Sequence, residues 1–366
     1  MSTSHVLICN WRDTRNPEGG GSEKFVEEVA LGLVERGHRV TLFCAAHANA
    51  PRDEVRDGIR FVRRGSKLAV YAFALLGLAL RRFGHVDVVV DVQNGLPFFT
   101  RLATRKPVVV LVHHVHREQW PVVYPGLMGR VGWWIESQLA PRLYRRSRYV
   151  AVSTATRDEL VALGVDGDRI SIVHNGTDPS PVTHVRPTAH PSLCVVGRLV
   201  PHKQVEHAID VLAELTELPD LELTVVGDGW WEKELREYAA QRGVADRVVF
   251  TGFVDERTKH EVYARSWLMA LPSLKEGWGL VVGEAGSHST PTVAYRSAGG
   301  TQESIDQGES GVLVDDHAGF VAAVRELMID DEYRHRLGKG AYEKSRVFTW
   351  DQTREGFASV LAKPSR

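Results

Sequence analysis

Two series of short apolar runs, each run parted from the next by a helix-patterned stretch, set the strongest limit on what this chain can fold into. His5–Asn10, Val40–Cys44, Val86–Asp91, Val108–Val112, Tyr149–Val152 and Ile170–Val173 make the first series. Leu193–Val196, Leu221–Val226, Val248–Phe250, Trp267–Leu271, Thr292–Ala294 and Val312–Val314 make the second. Continuous apolar runs of this length suit strands buried on both faces, and stretches such as Ser22–Arg36 and Thr154–Leu163 suit crossover helices. The expected fold is α/β, with two Rossmann-like, doubly wound domains. Residues 174–191, rich in Pro, Thr and His without a period, read as the linker. The expected domains are 1–180 and 181–346.

Composition narrows the class. Of 366 residues, 43% are hydrophobic and 25% charged, as in a soluble globular protein. A net charge of −1 gives no global drive toward nucleic acid. The charge is uneven, however: residues 1–180 carry 24 Lys and Arg against 18 Asp and Glu. Cys9, Cys44 and Cys194 lie in apolar runs and make no C-x-x-C pair, so they read as buried thiols in a reducing, cytoplasmic compartment. The opening MSTSHVLICNW has neither a charged leader nor a long apolar core, and no signal peptide is expected. The apolar segment Leu68–Leu80 is too short to span a bilayer, which takes about 20 residues. Arg60, Arg63, Arg64, Lys67, Arg81 and Arg82 flank it. Two readings stay open there: a surface-seeking helix making peripheral contact at the inner membrane face, or a core helix with basic ends.

The chemistry gathers where strands meet helices. Glu276-Gly277-Trp278-Gly279 follows the run Trp267–Leu271 and opens a helix expected over Gly279–His288. Free amides at a helix N-terminus attract an anion, and glycines let it approach. Glu276 from the loop and Glu284 from the helix would reach the same ligand, which suits a molecule part phosphate and part polyol. Gly197-Arg198 to Lys203 follows another strand, with a planar fork and a point charge for a diphosphate. Gly227 and Gly229, and the Gly252-Phe253-Val254 stretch, read either as a nucleoside cradle or as tight turns. Gly19, Gly20 and Gly21 open the first helix without forming a P-loop or a G-x-G-x-x-G signature. The histidines His113, His114 and His116 follow a strand. A metal site there is disfavoured by their divergent directions and the lack of a nearby Cys or acidic ligand.

Taken together, these motifs resemble the retaining glycosyltransferases of family four, which have the GT-B architecture: two Rossmann-like domains facing a central cleft. The resemblance rests on Gly19–Glu23, His174–Asp178, Arg198–Lys203, Val225–Gly229, Thr251–Val254, Glu276–Glu284, Ala298–Glu303 and Phe348–Trp350, in this order. It implies that the last segment, 347–366, crosses back onto the N-terminal domain. It implies that Arg198 and Lys203 bind the donor diphosphate, Glu276 the sugar hydroxyls and Glu284 the ribose. Gly277, Trp278 and Gly279, with Leu280 at the helix start, would offer backbone amides, and Gly20 and Gly21 would approach the diphosphate from the other domain. His113 would hydrogen-bond the sugar and stabilise charge at the reacting centre. Trp278 stands where the family usually has Phe, and Gln302 where a Pro is common.

The expected activity is hexosyl transfer from a UDP- or GDP-linked sugar to a hydroxyl-bearing acceptor, with retention by same-face attack. Arg198, Lys203 and helix amides supply the positive charge, so no metal or other cofactor is expected. Asp166-Gly167-Asp168, which spells D-x-D, reads as a turn. Asn94, His114 and Trp120 are candidates for the acceptor side. Two other functions fit the same motifs: a sugar-nucleotide epimerase of this architecture, and a catalytically silent nucleotide-sugar-binding protein.

Overall fold

A computed structural model describes residues 3–182 and 185–362. The expected linker includes Thr183 and His184, and the expected terminal segment runs to residue 366; residues 183–184 and 363–366 lie outside the described residues. The chain divides into two compact units, Met1–Gly176 with Trp350–Arg366, and Thr177–Thr349.

The first unit is built on an eight-stranded sheet: β1 His5–Cys9, β2 Arg39–Cys44, β3 Asp53–Arg56, β4 Ile59–Arg63, β5 Val88–Gln93, β6 Val108–Val112, β7 Arg148–Ala151 and β8 Ile170–Ile172. Their order is β3-β4-β2-β1-β5-β6-β7-β8, parallel except for β3 against β4. The hairpin β3–β4 is not among the apolar runs. Its turn is Asp57-Gly58, both at positive φ (52° and 77°), as a two-residue hairpin turn demands. Helix α1, Gly21–Glu35, connects β1 to β2, and α2, Ala69–Ala79, connects β4 to β5. Between β6 and β7 lies α3, Leu127–Trp134, followed by a π-helical turn over Ile135–Leu139.

The second unit carries a six-stranded parallel sheet: β9 Ser192–Val196, β10 Glu222–Val226, β11 Val248–Gly252, β12 Leu268–Leu271, β13 Thr292–Tyr295 and β14 Gly311–Val314. The order is β11-β10-β9-β12-β13-β14. Alternate residues feed two faces. Leu193 and Val195 pack with Leu223 and Val225 on one, and Cys194 and Val196 pack with Met269 and Leu271 on the other. Helix α4 is Glu256–Arg265 and α5 is Leu280–Gly286.

Helix α6, Trp350–Ala362, belongs to the first unit, as the resemblance implied. It lies on α1: Arg354 pairs with Glu28 at 2.6 Å and with Glu35 at 3.2 Å, and Thr353 donates to the His174 carbonyl at 2.7 Å. In both sheets the chain starts in the middle and reverses direction. The reversal falls between β1 and β5 in the first sheet and between β9 and β12 in the second. Ligands of open α/β sheets bind outside the strand carboxyl ends at such points.

The structure corrects one expectation about the basic flank of Leu68–Leu80. Arg63 is not a surface residue. Its side chain is fully buried on β4 and pairs with Asp13 at 2.5 Å and Glu54 at 3.0 Å. Arg64 is half-buried and pairs with Asp53 at 2.5 Å. Lys67, Arg81 and Arg82 are exposed.

Candidate functional site

In the second unit the loops after β9 and β12 flank the point of reversal, and backbone bonds lock them together. The Leu274 amide donates to the His202 carbonyl of the loop after β9 at 2.9 Å, and the Glu276 amide to the Ala298 carbonyl of the loop after β13 at 2.8 Å. These bonds hold Glu276 opposite Lys203, and Lys203 Nζ meets Glu276 Oε1 at 2.5 Å. Arg198 is exposed beside them. Gly197, Arg198, Lys203 and Ser273 line a small hollow open to solvent. The Ser273 hydroxyl is buried and has no hydrogen-bond partner among the described residues. Ser273 was not singled out in the sequence. Its place two residues beyond a buried strand, at the carboxyl edge, was the available signal.

Gly279 sits at φ 85° as the residue before α5, which turns the chain so that the helix starts at Leu280. Glu284, on α5, accepts from Lys259 Nζ at 3.0 Å and from the Tyr263 hydroxyl at 2.9 Å. Burial opposes the charge on Lys259, but the carboxylates of Glu284 and Glu256 outweigh it and hold the Lys259 pKa above its ordinary value. Trp278 is buried edge-on against Phe348, ring centres 4.7 Å apart. The loop after β10 lies tight on the loop after β9. Gly227 adopts φ 119°, and a Cβ there would stand 2.1 Å from the Gly197 carbonyl oxygen; at Gly229 it would stand 2.1 Å from that of Leu199. Gly227→Ala is expected to cost about 2–4 kcal/mol in chemical unfolding, combining strain and overpacking. Val254 packs against the same core face as Val226, and Phe253 beside it is exposed.

In the first unit, His113 directly follows β6 and is buried, with its ring edge-on to Phe25 at 5.3 Å. Its Nε2 has no hydrogen-bond partner among the described residues, and neither have Asn10 Oδ1 and Gln93 Oε1. These three polar atoms sit at the carboxyl ends of the adjacent strands β6, β1 and β5. Asn10 was not singled out in the sequence. Burial, reinforced by the neighbouring His116, pushes the His113 pKa down to about 3. The ring is therefore neutral near pH 7 and acts through hydrogen bonds, not through net charge.

Below about pH 6.5 the unfolded chain protonates this ring while the folded one does not, so stability is lost as pH falls from there toward 3. A plot of melting temperature against pH is expected to fall more steeply over this window in the wild type than in His113→Asn.

The acceptor-side candidates also have places. Asn94 is half-buried at the end of β5, and the Trp120 ring packs over Gly95. His114 Nε2 lies 2.9 Å from the Gln119 side-chain oxygen. Trp120 Nε1 donates to Glu136 at 2.6 Å, and Glu136 also accepts from the His116 amide at 3.2 Å. Glu136 is buried in the π-helical turn and organises this loop. No sequence period marks such a turn. At the glycine-rich loop the α1 terminus is less bare than expected, because the Gly20 amide donates to the Glu23 carboxylate at 2.8 Å. Asp166 caps a 3₁₀ turn by accepting from the Asp168 amide at 3.1 Å, so the D-x-D triplet is a turn.

Two family models match consecutive parts of the chain: "Glycosyltransferase Family 4" over residues 19–181 and "Glycosyl transferases group 1" over residues 180–344. A D-inositol 3-phosphate glycosyltransferase of Xylanimonas cellulosilytica is 30% identical over 95% of this chain and 93% of its own. The chain belongs to glycosyltransferase family 4. This family 4 glycosyltransferase has the GT-B fold, shared with a sucrose-phosphate synthase from Thermosynechococcus elongatus (TM-score 0.82, 16% identity, 98% of each chain). Anabaena HepE, solved in complex with UDP-glucose, is also similar (TM-score 0.76, 18% identity, 98% of this chain and 99% of that one).

Proposed function

We propose that this glycosyltransferase moves a hexose from a UDP- or GDP-linked donor to an acceptor hydroxyl with retention of anomeric configuration, and that it needs no metal. The observation that carries the reading is the Lys203–Glu276 contact beside Arg198, at the carboxyl edge of the reversal in the second sheet. A cation and a carboxylate in contact offer one group to a diphosphate and the other to sugar hydroxyls. Donor binding would part them and give each a ligand partner. As the glycosidic bond breaks, negative charge grows on the leaving phosphate oxygen. Arg198, Lys203 and the amides from Gly277 to Leu280 would stabilise it.

Glu284 would hold the ribose, with Lys259 and Tyr263 fixing its orientation. Gly227, Gly229 and Val254 would meet the nucleoside through backbone atoms. To the first unit the proposal gives neutral His113 as a hydrogen-bonding group for the sugar, and Gly20 and Gly21 as close-approach positions. In same-face attack the acceptor hydroxyl passes its proton to the departing diphosphate, so no carboxylate nucleophile is required. Asn94, His114 and Trp120 are assigned to the acceptor. The relative's name, D-inositol 3-phosphate glycosyltransferase, makes a polyol phosphate the first acceptor to try.

The three cysteines are buried and unpaired, which supports a cytoplasmic location. The proposal includes peripheral contact with the inner membrane face and no nucleic-acid partner.

A thermal-shift panel of nucleoside diphosphates and their sugars selects the donor. Proton NMR of the product from the selected donor and the acceptor then reads the new anomeric linkage, in buffer containing a chelator. The α-linked product from an α-linked donor is expected. A β-linked product, dependence on added metal, or a rearranged sugar formed from donor alone would each defeat the reading.

A further inference from the structure

Helices α2 and α3 expose apolar stripes where a helix of a globular protein ordinarily shows polar ones. On α2 and its flanks, Phe73, Leu76 and Leu80 recur along one side and Leu68 precedes them; Leu68 is 75% exposed and Leu80 59%. On α3, Leu127, Met128, Val131 and Trp134 do the same, with Leu127 at 74% and Trp134 at 55%. The inner sides are accounted for: Val70, Ala74 and Leu78 of α2, and Trp133 of α3, pack into a single core cluster. Both connections, β4 to β5 and β6 to β7, run toward β8 across the same sheet. Right-handed crossovers running the same way lie on the same face. The two stripes therefore belong to one layer and point outward from it.

The charge around them is one-sided. Residues 64–82 contain four basic side chains and no acidic one. Residues 117–146 contain five arginines and two glutamates, and Glu136 is buried under His116 and Trp120. Arg81, Arg82, Arg130, Arg142, Arg145 and Arg146 are all exposed. With 11 and 8 residues, the two helices are too short to cross a bilayer. Apolar side chains ringed by arginines match the interfacial arrangement, in which apolar groups enter the acyl boundary and cations meet anionic headgroups.

We propose that the outer sides of α2 and α3 form one docking face that seats this protein on an anionic lipid surface. A second copy of the chain on this face would bring like charges together, so the rim chemistry favours lipid. The inference rests on the peripheral membrane contact proposed above but uses residues of the first unit alone, so it can fail separately from the donor reading, which uses Arg198, Lys203 and Glu276 of the second.

Co-sedimentation with phosphatidylcholine vesicles, with and without phosphatidylglycerol, tests it. Two double variants, Phe73→Ser/Leu76→Ser and Leu127→Ser/Val131→Ser, change only exposed side chains. Wild-type protein is expected to pellet with the anionic vesicles and to be released by high salt. Each double variant is expected to lose roughly ten-fold in vesicle affinity while keeping the wild-type melting temperature and donor-induced thermal shift. Three outcomes overturn the proposal: no binding to anionic vesicles, binding unchanged in both variants, or a wild-type dimer in light scattering that Leu127→Ser/Val131→Ser converts to monomer without a change in vesicle binding.

Discussion

Alanine at Lys203 or at Glu276 is expected to lower the rate of sugar transfer by roughly 10²–10³-fold, with little change in folding. The two side chains are only partly exposed, 21% and 12%, and touch each other at 2.5 Å. Lys203 borders an open hollow and Glu276 is itself partly exposed, so the partner left behind can be hydrated, and the stability lost should stay near 1 kcal/mol. The catalytic loss has a different origin. Lys203 faces a diphosphate that is already anionic in the bound donor and gains further charge as it leaves, so its removal should raise KM and lower kcat as well. Glu276 would hold the sugar in both ground and transition states, so its removal should also raise KM. Lys203→Arg keeps the charge but not its position and should recover only part of the rate. Steady-state kinetics with circular dichroism checks all three, and near-normal turnover in both alanine variants would refute the assignment.

The largest effect on stability is expected in the other unit. Arg63→Ala should cost about 3–5 kcal/mol, because it leaves Asp13 buried without its cation. Asp13 is inaccessible to solvent. It receives Arg63 Nε at 2.5 Å, His47 Nε2 at 2.9 Å and the amides of Arg15 and Asn16, each at 3.1 Å. The same residue shapes the approach to the glycine-rich loop. The Asn16 amide donates to the Asp13 carbonyl, and the Gly19 amide to that of Asn16 at 2.7 Å. The damage should therefore reach the glycine-rich segment before α1. Removing both charges, as Asp13→Asn/Arg63→Met, should recover a good part of the loss, since no charge is then stranded. Urea unfolding of the two single variants and the double variant gives the coupling directly; a cost below about 1 kcal/mol for Arg63→Ala would contradict this account.

What was readable beforehand divides along physical lines. Strands buried on both faces carry their own signal, so β1, β2, β5 to β8 and the whole second sheet stood out as apolar runs. The hairpin β3–β4 did not, since Asp53-Glu-Val-Arg and Ile59-Arg-Phe-Val-Arg are as charged as a loop. Alternation around Asp57-Gly58 was the clue that could have found it. With that strand unrecognised, Arg63 looked like part of a basic surface. That it meets Asp13, 50 positions away, follows from packing and from no local pattern. The motifs around Lys203, Glu276 and Glu284 were legible because glycines and charges at strand ends are rare and ordered. The supports, Ser273, Asn10 and Glu136, were not. Each is defined by a buried atom or a helical irregularity that only the folded chain exhibits.

The most direct test is a crystal structure of the full chain with an unhydrolysable UDP- or GDP-sugar, whichever gives the larger thermal shift. The account predicts the diphosphate within hydrogen-bonding distance of Arg198 and Lys203, the hexose hydroxyls on Glu276 and the ribose on Glu284. A ligand seated anywhere else, with Lys203 still bound to Glu276, would contradict it.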